Sequence, residues 1–389
     1  MNFQELDKKY IAGTYNRFPI EIVRGKGSIV YDIEGKRYID MGSGIGVTAF
    51  GIADDEWKKA VTDQLDKVQH MSNLYYTMPD IELAKILCEK SGMKKVFFGN
   101  SGAEANECAV KLARKYSAEK KGEDCYTIVS LKNSFHGRTL TTLAATGQDN
   151  FHKLFKPLTP GFETVSSSDA NELYQLAEKT KIAGILIECI QGEGGVNALD
   201  KDFVEAIYKF ANENDIPFMV DEVQSGNGRS GFFYSYMNYE IKPDAVTTAK
   251  GLGGGLPIGA CLMGEKLQNV LGPGDHGSTF GGNPVVCAGA INLVNRIDDK
   301  LLAEVREKSV YIFSELQNAK GVESVSGAGL MIGIKTEKKA SDLIKKCMEK
   351  GVLCLSAKDK IRLLPALNIP MPLLTEAVDI IKQVCAEEV

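Results

Sequence analysis

The segment 217–256, PFMVDEVQSGNGRSGFFYSYMNYEIKPDAVTTAKGLGGGL, constrains the fold more than any other part of the chain. It contains two short apolar runs typical of buried parallel strands, Pro217–Val220 and Ala245–Val246 with the two threonines after it. Asp221 directly follows the first run, and Lys250 follows the second. Because ligands of doubly wound α/β sheets bind at the carboxyl ends of the strands, we expect both side chains to face one crevice.

A carboxylate and an amine in one crevice suit the cofactor pyridoxal phosphate (PLP) in particular. The lysine amine can condense with the aldehyde of PLP, and the aspartate can keep the ring nitrogen protonated so that the ring accepts electrons. The alternative is a structural salt bridge between Asp221 and Lys250 at the strand ends. These two residues alone do not decide between the two interpretations.

Composition narrows the class of protein. The chain has 389 residues, 25% of them charged, and a formal net charge of −5, so no basic surface favours nucleic acid. The nine cysteines contain no CxxC pair and the four histidines lack zinc-ligand spacing, which predicts reduced thiols and no metal. The N-terminus has no signal-peptide pattern, and no run approaches the roughly 18 apolar residues of a membrane helix. We expect a cytoplasmic protein with small-molecule substrates and no membrane partner.

Short apolar runs alternate with helical patterns through the middle of the chain, from residue 95 to residue 264. This alternation predicts an α/β fold whose mainly parallel sheet is covered by helices on both faces. Residues 1–50 instead contain short strands, and residues 283–389 contain an α+β pattern. We therefore predict a large domain over residues 51–282 and a smaller α+β domain built from both chain ends.

The turn Asn100–Glu104 joins a predicted strand end to a helix start. Free N–H groups and the helix dipole make such a turn a natural phosphate site. Ser101 and Glu104 also match a capping box, which is the purely structural alternative. The phosphate interpretation is favoured because the turn falls on the same strand-end face as Asp221 and Lys250.

Two further loops follow predicted strands. Phe135 could stack on a pyridine ring, and Arg138 offers a fork of donors for a carboxylate, although a loop arginine is often merely solvated. Glycines on both sides of Glu193 could let it project into a site, but an ordinary tight turn explains them equally well. Neither loop is specific by itself.

The pattern Gly226-x-Gly228-x-x-Gly231 matches the dinucleotide-binding fingerprint and would make the protein an NAD-binding oxidoreductase. We disfavour this alternative because the following FFYSYMNYE is too aromatic to open a helix well. Further on, Thr279 could donate a hydrogen bond to phosphate or cap the next helix. Arg362 is the only arginine after residue 309, and its apolar neighbours predict a buried position that needs an anionic partner.

Taken together, these motifs resemble the class III (fold type I) PLP-dependent aminotransferases. The resemblance rests on NSGAEAN, FHGRT, QGEGG, DEVQSGNGRSG, AKGLGGGLPIGA, HGSTFGGNP and IRLLPALNI, spread over nearly the whole chain. It implies the fold of a fold type I PLP-transferase, a homodimer, and transamination of N2-acetyl-L-ornithine with 2-oxoglutarate in arginine biosynthesis. Family members acting on ornithine, succinylornithine, succinyldiaminopimelate or 4-aminobutyrate share most of these motifs, so these substrates remain alternatives.

The resemblance also implies roles for individual residues. Lys250 would bind PLP covalently and transfer the proton, while Asp221 would pair with the ring nitrogen. The ring would lie between Phe135 and Val223, and Thr279 would reach the phosphate from the second subunit. The complete set of implied cofactor contacts is Ser101, Gly102, Ala103, Phe135, Asp221, Val223, Gln224, Lys250 and Thr279.

Four residues are implied to bind substrate: Arg138, Glu193, Ser278 and Arg362. Arg138 would take the distal carboxylate, and Arg362 would take the α-carboxylate of glutamate. The amine end of acetylornithine has no carboxylate, so Glu193 would then pair with Arg362 and neutralise it. One stretch departs from the family, since FGIADDEW stands where a Gly-His-x-x-Pro pattern is usual.

Overall fold

The structure, a computed structural model, describes residues 3–387. Its strands form a seven-stranded sheet, two four-stranded sheets and a two-stranded pair. The described strands are β1 (Ile22–Lys26), β2 (Ile29–Asp32), β3 (Arg37–Asp40), β4 (Lys95–Gly99), β5 (Thr127–Leu131), β6 (Phe162–Val165), β7 (Ile182–Ile187), β8 (Ile190–Gln191), β9 (Asn197–Ala198), β10 (Phe218–Asp221), β11 (Ala245–Thr248), β12 (Gly259–Met263), β13 (Val322–Ala328), β14 (Met331–Thr336), β15 (Val352–Leu353), β16 (Leu355–Ala357) and β17 (Lys360–Leu363). The described α-helices are α1 (Phe3–Tyr10), α2 (Ser43–Gly46), α3 (Asp55–Leu65), α4 (Met78–Ser91), α5 (Gly102–Lys121), α6 (Leu140–Ala145), α7 (Ala170–Ala177), α8 (Lys201–Glu213), α9 (Pro284–Arg296), α10 (Asp299–Leu316), α11 (Ala340–Glu349) and α12 (Met371–Ala386).

The seven-stranded sheet has the order β4-β12-β11-β10-β7-β5-β6. Its strands β6, β5, β7, β10 and β11 pair in parallel, whereas β12 runs antiparallel to both β11 and β4. Only a short connection separates β12 from β11, and a parallel return would need a crossover of about a dozen residues or more. Every residue of β5, β7, β10 and β11 is buried, which explains their continuous apolar runs. The predicted α/β fold with a mainly parallel sheet is confirmed.

Helix α5 connects β4 to β5 and packs on the large sheet. Its buried residues recur at helical spacing and include Ala105, Cys108, Ala109 and Leu112. Ser101 caps the start of the helix by accepting a hydrogen bond from the backbone of Glu104. Because the helix starts directly after β4, its positive N-terminal end lies at the strand-end edge of the large sheet.

The two chain ends meet in one small sheet with the order β1-β2-β3-β15. Strands β3 and β15 pair in parallel, with Val352 opposite Ile39. A second sheet, β13-β14-β17-β16, is formed entirely by the C-terminal part of the chain. Helix α9 packs against α3 and α4, so it joins the C-terminal part to the preceding region. The boundaries 1–50, 51–282 and 283–389 remain our proposal for the domains.

The stretch FGIADDEW, which departs from the family pattern, forms a capped and ion-paired helix start. Asp54 accepts a hydrogen bond from the backbone of Trp57 at 2.9 Å and caps α3. The same carboxylate binds both terminal nitrogens of Arg296, at 2.6 and 3.0 Å. The Arg296 guanidinium lies 4.0 Å from the centre of the Phe50 ring. This carboxylate thus ties α3 to the end of α9.

The glycine pattern at 226–231 forms a turn and does not open a long helix. Gly228 and Gly231 have φ values of +85° and +86°, which favour glycine. The chain continues into a short 3-10 helix at Ser235–Tyr239. This geometry differs from a dinucleotide-binding turn, in which a long helix follows the glycines and offers its N-terminus to the pyrophosphate.

Residues 3–387 contain neither a membrane-spanning helix nor a cluster of metal ligands. None of the helices in that range is long and apolar enough to cross a membrane. No group of three or more histidine, cysteine or acidic side chains in that range could hold a metal ion. All nine cysteines are free thiols, and all but Cys88 are buried.

A buried carboxylate holds the loop that follows β10. Glu222 has no exposed surface and accepts hydrogen bonds from the Ser235 hydroxyl at 2.7 Å and the Tyr236 amide at 2.8 Å. Its other oxygen accepts from the Ser225 hydroxyl at 2.7 Å. Burial raises the pKa of Glu222, and these donors oppose that rise. The carboxylate therefore joins the two ends of the loop 222–236.

We expect Glu222→Ala to lower the free energy of unfolding by about 2–4 kcal/mol, because it leaves buried donors without an acceptor and creates a cavity. Denaturation in urea, followed by circular dichroism, measures the change. Glu205→Ala is the control, because Glu205 is exposed on α8. Equal midpoints for the two variants would contradict the role given to Glu222.

Candidate active site

A cavity of about 370 Å³ lies at the carboxyl ends of the large-sheet strands. Eight of the nine predicted cofactor contacts line it: Ser101, Gly102, Ala103, Phe135, Asp221, Val223, Gln224 and Lys250. A larger cavity, about 790 Å³, lies between the N-terminal segment and α11 and carries none of the predicted site residues. The smaller cavity is therefore the candidate active site.

Asp221 is a buried carboxylate that lines this cavity. Its Oδ2 accepts a hydrogen bond from Asn106 Nδ2 at 2.7 Å and lies 2.8 Å from His136 Nδ1. Its Oδ1 accepts from the Val223 amide at 3.0 Å. Sequence reasoning missed Asn106 and His136, although both lie inside the quoted motifs NSGAEAN and FHGRT. The three donors fix the carboxylate at a strand end, where it can face a protonated ring nitrogen.

Lys250 lies in the same cavity, two residues beyond β11, in the left-handed region with φ +46°. Few residues other than glycine adopt this conformation, and such strain is concentrated at functional sites. Burial lowers the pKa of Lys250, against the opposing effects of Glu193 and Asp221. The structure thus favours a neutral amine, which is the nucleophilic form that condenses with an aldehyde.

The start of α5 forms a cradle that fits a phosphate. The first N–H groups of a helix have no partner within the helix and attract anions. A Cβ atom on Gly102 would lie 2.6 Å from Val223 Cγ1, so only glycine lets the helix start approach this wall. The Glu104 carboxylate binds the Asn100 amide nitrogen at 2.5 Å and its side-chain nitrogen at 3.0 Å. This acid is therefore engaged with the preceding turn.

A second buried acid, Glu188, also lines the cavity, and the sequence motifs did not single it out. Its Oε2 accepts a hydrogen bond from the Phe135 amide at 2.9 Å, and its Oε1 accepts from the Gly192 amide at 3.4 Å. Burial, and then the charge of Asp221, raise the pKa of Glu188. It directly follows β7, which is the same strand-end signal that identified Asp221. Glu188 connects the loop of Phe135 to the turn of Glu193.

The structure brings Glu193 and Arg362 together across 169 residues of sequence. Arg362 Nη1 donates to Glu193 Oε1 at 2.5 Å and to Gln224 Oε1 at 3.0 Å. The Arg362 side chain is only 4% exposed. Burial alone would raise the pKa of Glu193, but the charge and hydrogen bond of Arg362 lower it below its usual value. The buried arginine thus has the anionic partner that the sequence required.

Five predicted residues lie outside the lining of this cavity: Arg138, Glu193, Ser278, Thr279 and Arg362. Glu193 and Arg362 are tied to it through Gln224, which lines the cavity and accepts from Arg362. Arg138 is exposed, and its guanidinium lies 4.2 Å from the centre of the Phe151 ring. Ser278 Oγ accepts a hydrogen bond from Asn100 Nδ2 at 3.1 Å. Thr279 is exposed. Arg138 nevertheless lies next to the cavity, because its guanidinium is 5.6 Å from the centre of the Phe135 ring, and Asn100, the partner of Ser278, lines the cavity. Thr279 is the one predicted cofactor contact that does not line it.

The fold and this cavity define a PLP-dependent enzyme of fold type I. The lysine and aspartate lie at adjacent strand ends, the phosphate cradle lies at a helix start, and Phe135 and Val223 provide walls for a flat ring. The residues present therefore fit PLP.

The chain belongs to the class III aminotransferases, because the family model "Aminotransferase class-III" matches residues 10–385. This family is PLP-dependent. The resemblance inferred from the motifs and the prediction of PLP are both confirmed.

Similar proteins include the acetylornithine aminotransferase of Haemophilus ducreyi, 47% identical over 99% of this chain and 98% of that protein. The acetylornithine aminotransferase of Aquifex aeolicus is 44% identical over 96% and 99%. Among solved structures, N-acetylornithine aminotransferase from Stenotrophomonas maltophilia has a TM-score of 0.85 at 29% identity, covering 98% of each chain. Ornithine aminotransferase from Toxoplasma gondii has a TM-score of 0.94 at 28% identity, covering 99% and 94%.

We expect Lys250 in the PLP-free protein to react with acetic anhydride at lower pH than an ordinary lysine. Only the neutral amine reacts, and burial lowers the pKa of Lys250 below its usual value of 10.5, so this form accumulates as the pH rises through a lower range. Trace labelling at several pH values, followed by peptide mass spectrometry, measures the midpoint. Lys335 is the control, because its hydrogen bond with Asp359 raises its pKa. A midpoint for Lys250 at or above that of Lys335 would show that burial does not lower the pKa of Lys250.

Proposed function

We propose that this aminotransferase transfers the 5-amino group of N2-acetyl-L-ornithine to 2-oxoglutarate, giving N-acetyl-L-glutamate 5-semialdehyde and L-glutamate. Its place is in arginine biosynthesis in the cytoplasm. The observation that carries the proposal is the buried ion pair of Glu193 with Arg362 beside Lys250. The names and the 40–47% identities of the curated relatives support the same substrate.

Bound PLP supplies an electron sink for the negative charge that develops when a proton leaves the carbon bearing the amine. Asp221 keeps the ring nitrogen protonated, which strengthens that sink. The neutral amine of Lys250 takes the proton from C5 of acetylornithine. Phe135 and Val223, which both line the cavity, would hold the cofactor ring, so that this carbon would stay within reach of Lys250.

The Glu193–Arg362 pair explains how one cavity accepts two unlike substrates. The reacting end of acetylornithine carries no carboxylate, so Glu193 stays on Arg362 and neutralises it. The reacting end of glutamate carries its α-carboxylate, which replaces Glu193 on Arg362. Glycines flank Glu193 in the turn 192–195, which gives the backbone the freedom to move the side chain. In both half-reactions, Arg138 binds the distal carboxylate.

The second part of the site comes from a second copy of this chain. Large apolar side chains near the loop 278–281 are exposed, among them Leu74 at 87%, Tyr76 at 97% and Phe280 at 60%. Asn73 Nδ2 donates to the carbonyls of Ser278 and Gly281, which places these side chains beside the loop. Such a patch is typical of an interface. In a homodimer it would be covered, and Thr279 would reach the partner's phosphate cradle.

We expect sedimentation equilibrium to give the mass of a dimer at the protein concentrations where the enzyme is active. Full activity at a concentration where sedimentation shows only monomer would refute the shared site.

We expect kcat/KM with 2-oxoglutarate to be highest for N2-acetyl-L-ornithine in a panel of amino donors. Ornithine, succinylornithine, succinyldiaminopimelate and 4-aminobutyrate complete the panel. Ornithine carries a free α-ammonium group where the acetylated substrate is neutral, so we expect a difference of about 10-fold or more. The coupled formation of glutamate measures each rate. A higher value for any other donor would replace the proposed substrate.

We expect Arg362→Ala to slow the half-reaction with glutamate by about 30-fold or more, because a buried charge pair contributes roughly 2–5 kcal/mol. The acetylornithine half-reaction should slow less, since Arg362 does not touch that substrate. Glu193→Ala should have the reverse preference. Single-turnover absorbance of the holoenzyme measures each half separately, and Lys335→Ala is the control. Equal slowing of both halves by Arg362→Ala would show that Arg362 is a structural or common anchor.

A further inference from the structure

Arg229 lies on the loop that follows β10 and is 2% exposed. Its Nη1 donates to the carbonyl of Leu330 at 3.1 Å and also to the carbonyl of Pro365. Its own carbonyl accepts a hydrogen bond from the Leu330 amide at 2.9 Å. One side chain of the large-sheet loop thus holds two separate segments of the C-terminal sheet.

The two bound carbonyls lie at the same end of the β14–β17 ladder. In the register of that ladder, Ile332 lies opposite Leu363 and Gly333 lies opposite Arg362. Continued in the same register, Leu330 lies opposite Pro365. Proline has no N–H group and cannot continue the ladder. The Arg229 guanidinium closes the ladder by donating to both carbonyls.

The backbone of the Arg229 loop also packs directly on the turn between β13 and β14. Gly329 in this turn has φ +58°, and a Cβ atom there would lie 2.3 Å from the Arg229 carbonyl oxygen and 2.4 Å from Ser230 C. Only glycine permits this approach. The contact between loop and sheet is therefore close along the backbone as well as through the side chain.

A contribution to folding stability does not explain why Arg229 is buried against two carbonyls. Burial lowers the pKa of Arg229 to about 10, against the opposing charge of Asp40. The Asp40 carboxylate itself accepts from the amides of Gly42 and Ser43, at 2.9 and 2.8 Å. Placing a guanidinium inside a protein costs desolvation free energy that neutral carbonyls repay poorly. What the side chain does achieve is geometric: it sets the position of the end of β17.

Strand β17 also carries Arg362, three residues before Pro365. The loop that carries Arg229 touches this strand a second time, because Gln224 Oε1 accepts from Arg362 Nη1 at 3.0 Å. Asp221, Gln224 and Arg229 belong to one short segment of chain. The segment whose Asp221 would pair with the ring nitrogen therefore also holds the strand that carries Arg362.

We infer that Arg229 is a positioning residue that holds Arg362 where it binds the substrate α-carboxylate, an inference that rests on the proposed function. Arg229 does not line the cavity of Lys250. Its effect passes through Arg362, which takes a carboxylate only from glutamate or 2-oxoglutarate. Loss of Arg229 thus affects that half-reaction more than the acetylornithine half-reaction.

The test compares Arg229→Met, Arg362→Ala and the control Lys308→Met in the holoenzyme. Lys308 is also a buried cation, and it donates to the carbonyl of Leu367 at 2.9 Å, two residues beyond Pro365. Its loss removes a similar hydrogen bond without opening the β14–β17 ladder. Two readouts are taken for each variant: single-turnover rates of both half-reactions, and the Kd of glutarate, an unreactive dicarboxylate, by calorimetry.

We expect Arg229→Met to slow the glutamate half-reaction and weaken glutarate binding by about 10- to 100-fold, the effect of a displacement of about 1 Å. The acetylornithine half-reaction should slow by a clearly smaller factor, and Lys308→Met should change both halves equally. If Arg229→Met does not fold, Arg229→Lys, which keeps the charge on a shorter side chain, takes its place in the same comparison.

The remaining outcomes contradict either the positioning role of Arg229 or the two-substrate proposal. If Arg362→Ala discriminates between the halves but the Arg229 variant does not, the positioning role is wrong and the proposed function stands. The positioning role is also wrong if Lys308→Met shows the same discrimination as the Arg229 variant. If Arg362→Ala itself fails to discriminate, the two-substrate proposal is wrong, and the role of Arg229 falls with it.

Discussion

The hydrogen bonds of one buried carboxylate organise the active site. Asp221 receives donors from three different parts of the fold: Asn106 on α5, His136 on the loop after β5, and the Val223 amide beyond β10. A buried charge without such partners would cost several kcal/mol. The phosphate cradle, the ring-stacking loop and the strand end are therefore placed relative to one another by a requirement for hydrogen bonds.

Around this carboxylate, burial and neighbouring charges shift the pKa values of the ionisable groups in different directions. Lys250 is driven towards its neutral form, and Glu188 towards its protonated form. Glu193 stays ionised because Arg362 binds it. Groups whose pKa values are pushed apart in one cavity are typical of catalytic sites, since each can then take a different role at one pH.

The loop 222–236 links the two parts of the molecule. Glu222 holds it from inside the large-sheet region, while Arg229 reaches the end of the C-terminal sheet. Arg362 on that sheet in turn reaches back to Gln224. The ring-binding and carboxylate-binding parts of the site are therefore mechanically connected, although they lie in different sheets.

Apolar periodicity and short motifs are local properties of a chain, so they were enough to predict the α/β fold, the strand-end positions of Asp221 and Lys250, and the need of Arg362 for an anion. Glu188 carried the same strand-end signal as Asp221 and could have been found. The binding of Asp221 by Asn106 and His136, across 115 and 85 residues, became visible only in the folded chain. Such contacts depend on how strands and helices pack, and the packing within one chain also leaves Thr279 outside the cavity. The residue type gives the chemistry of a side chain, whereas the packing of the folded chain gives its partner.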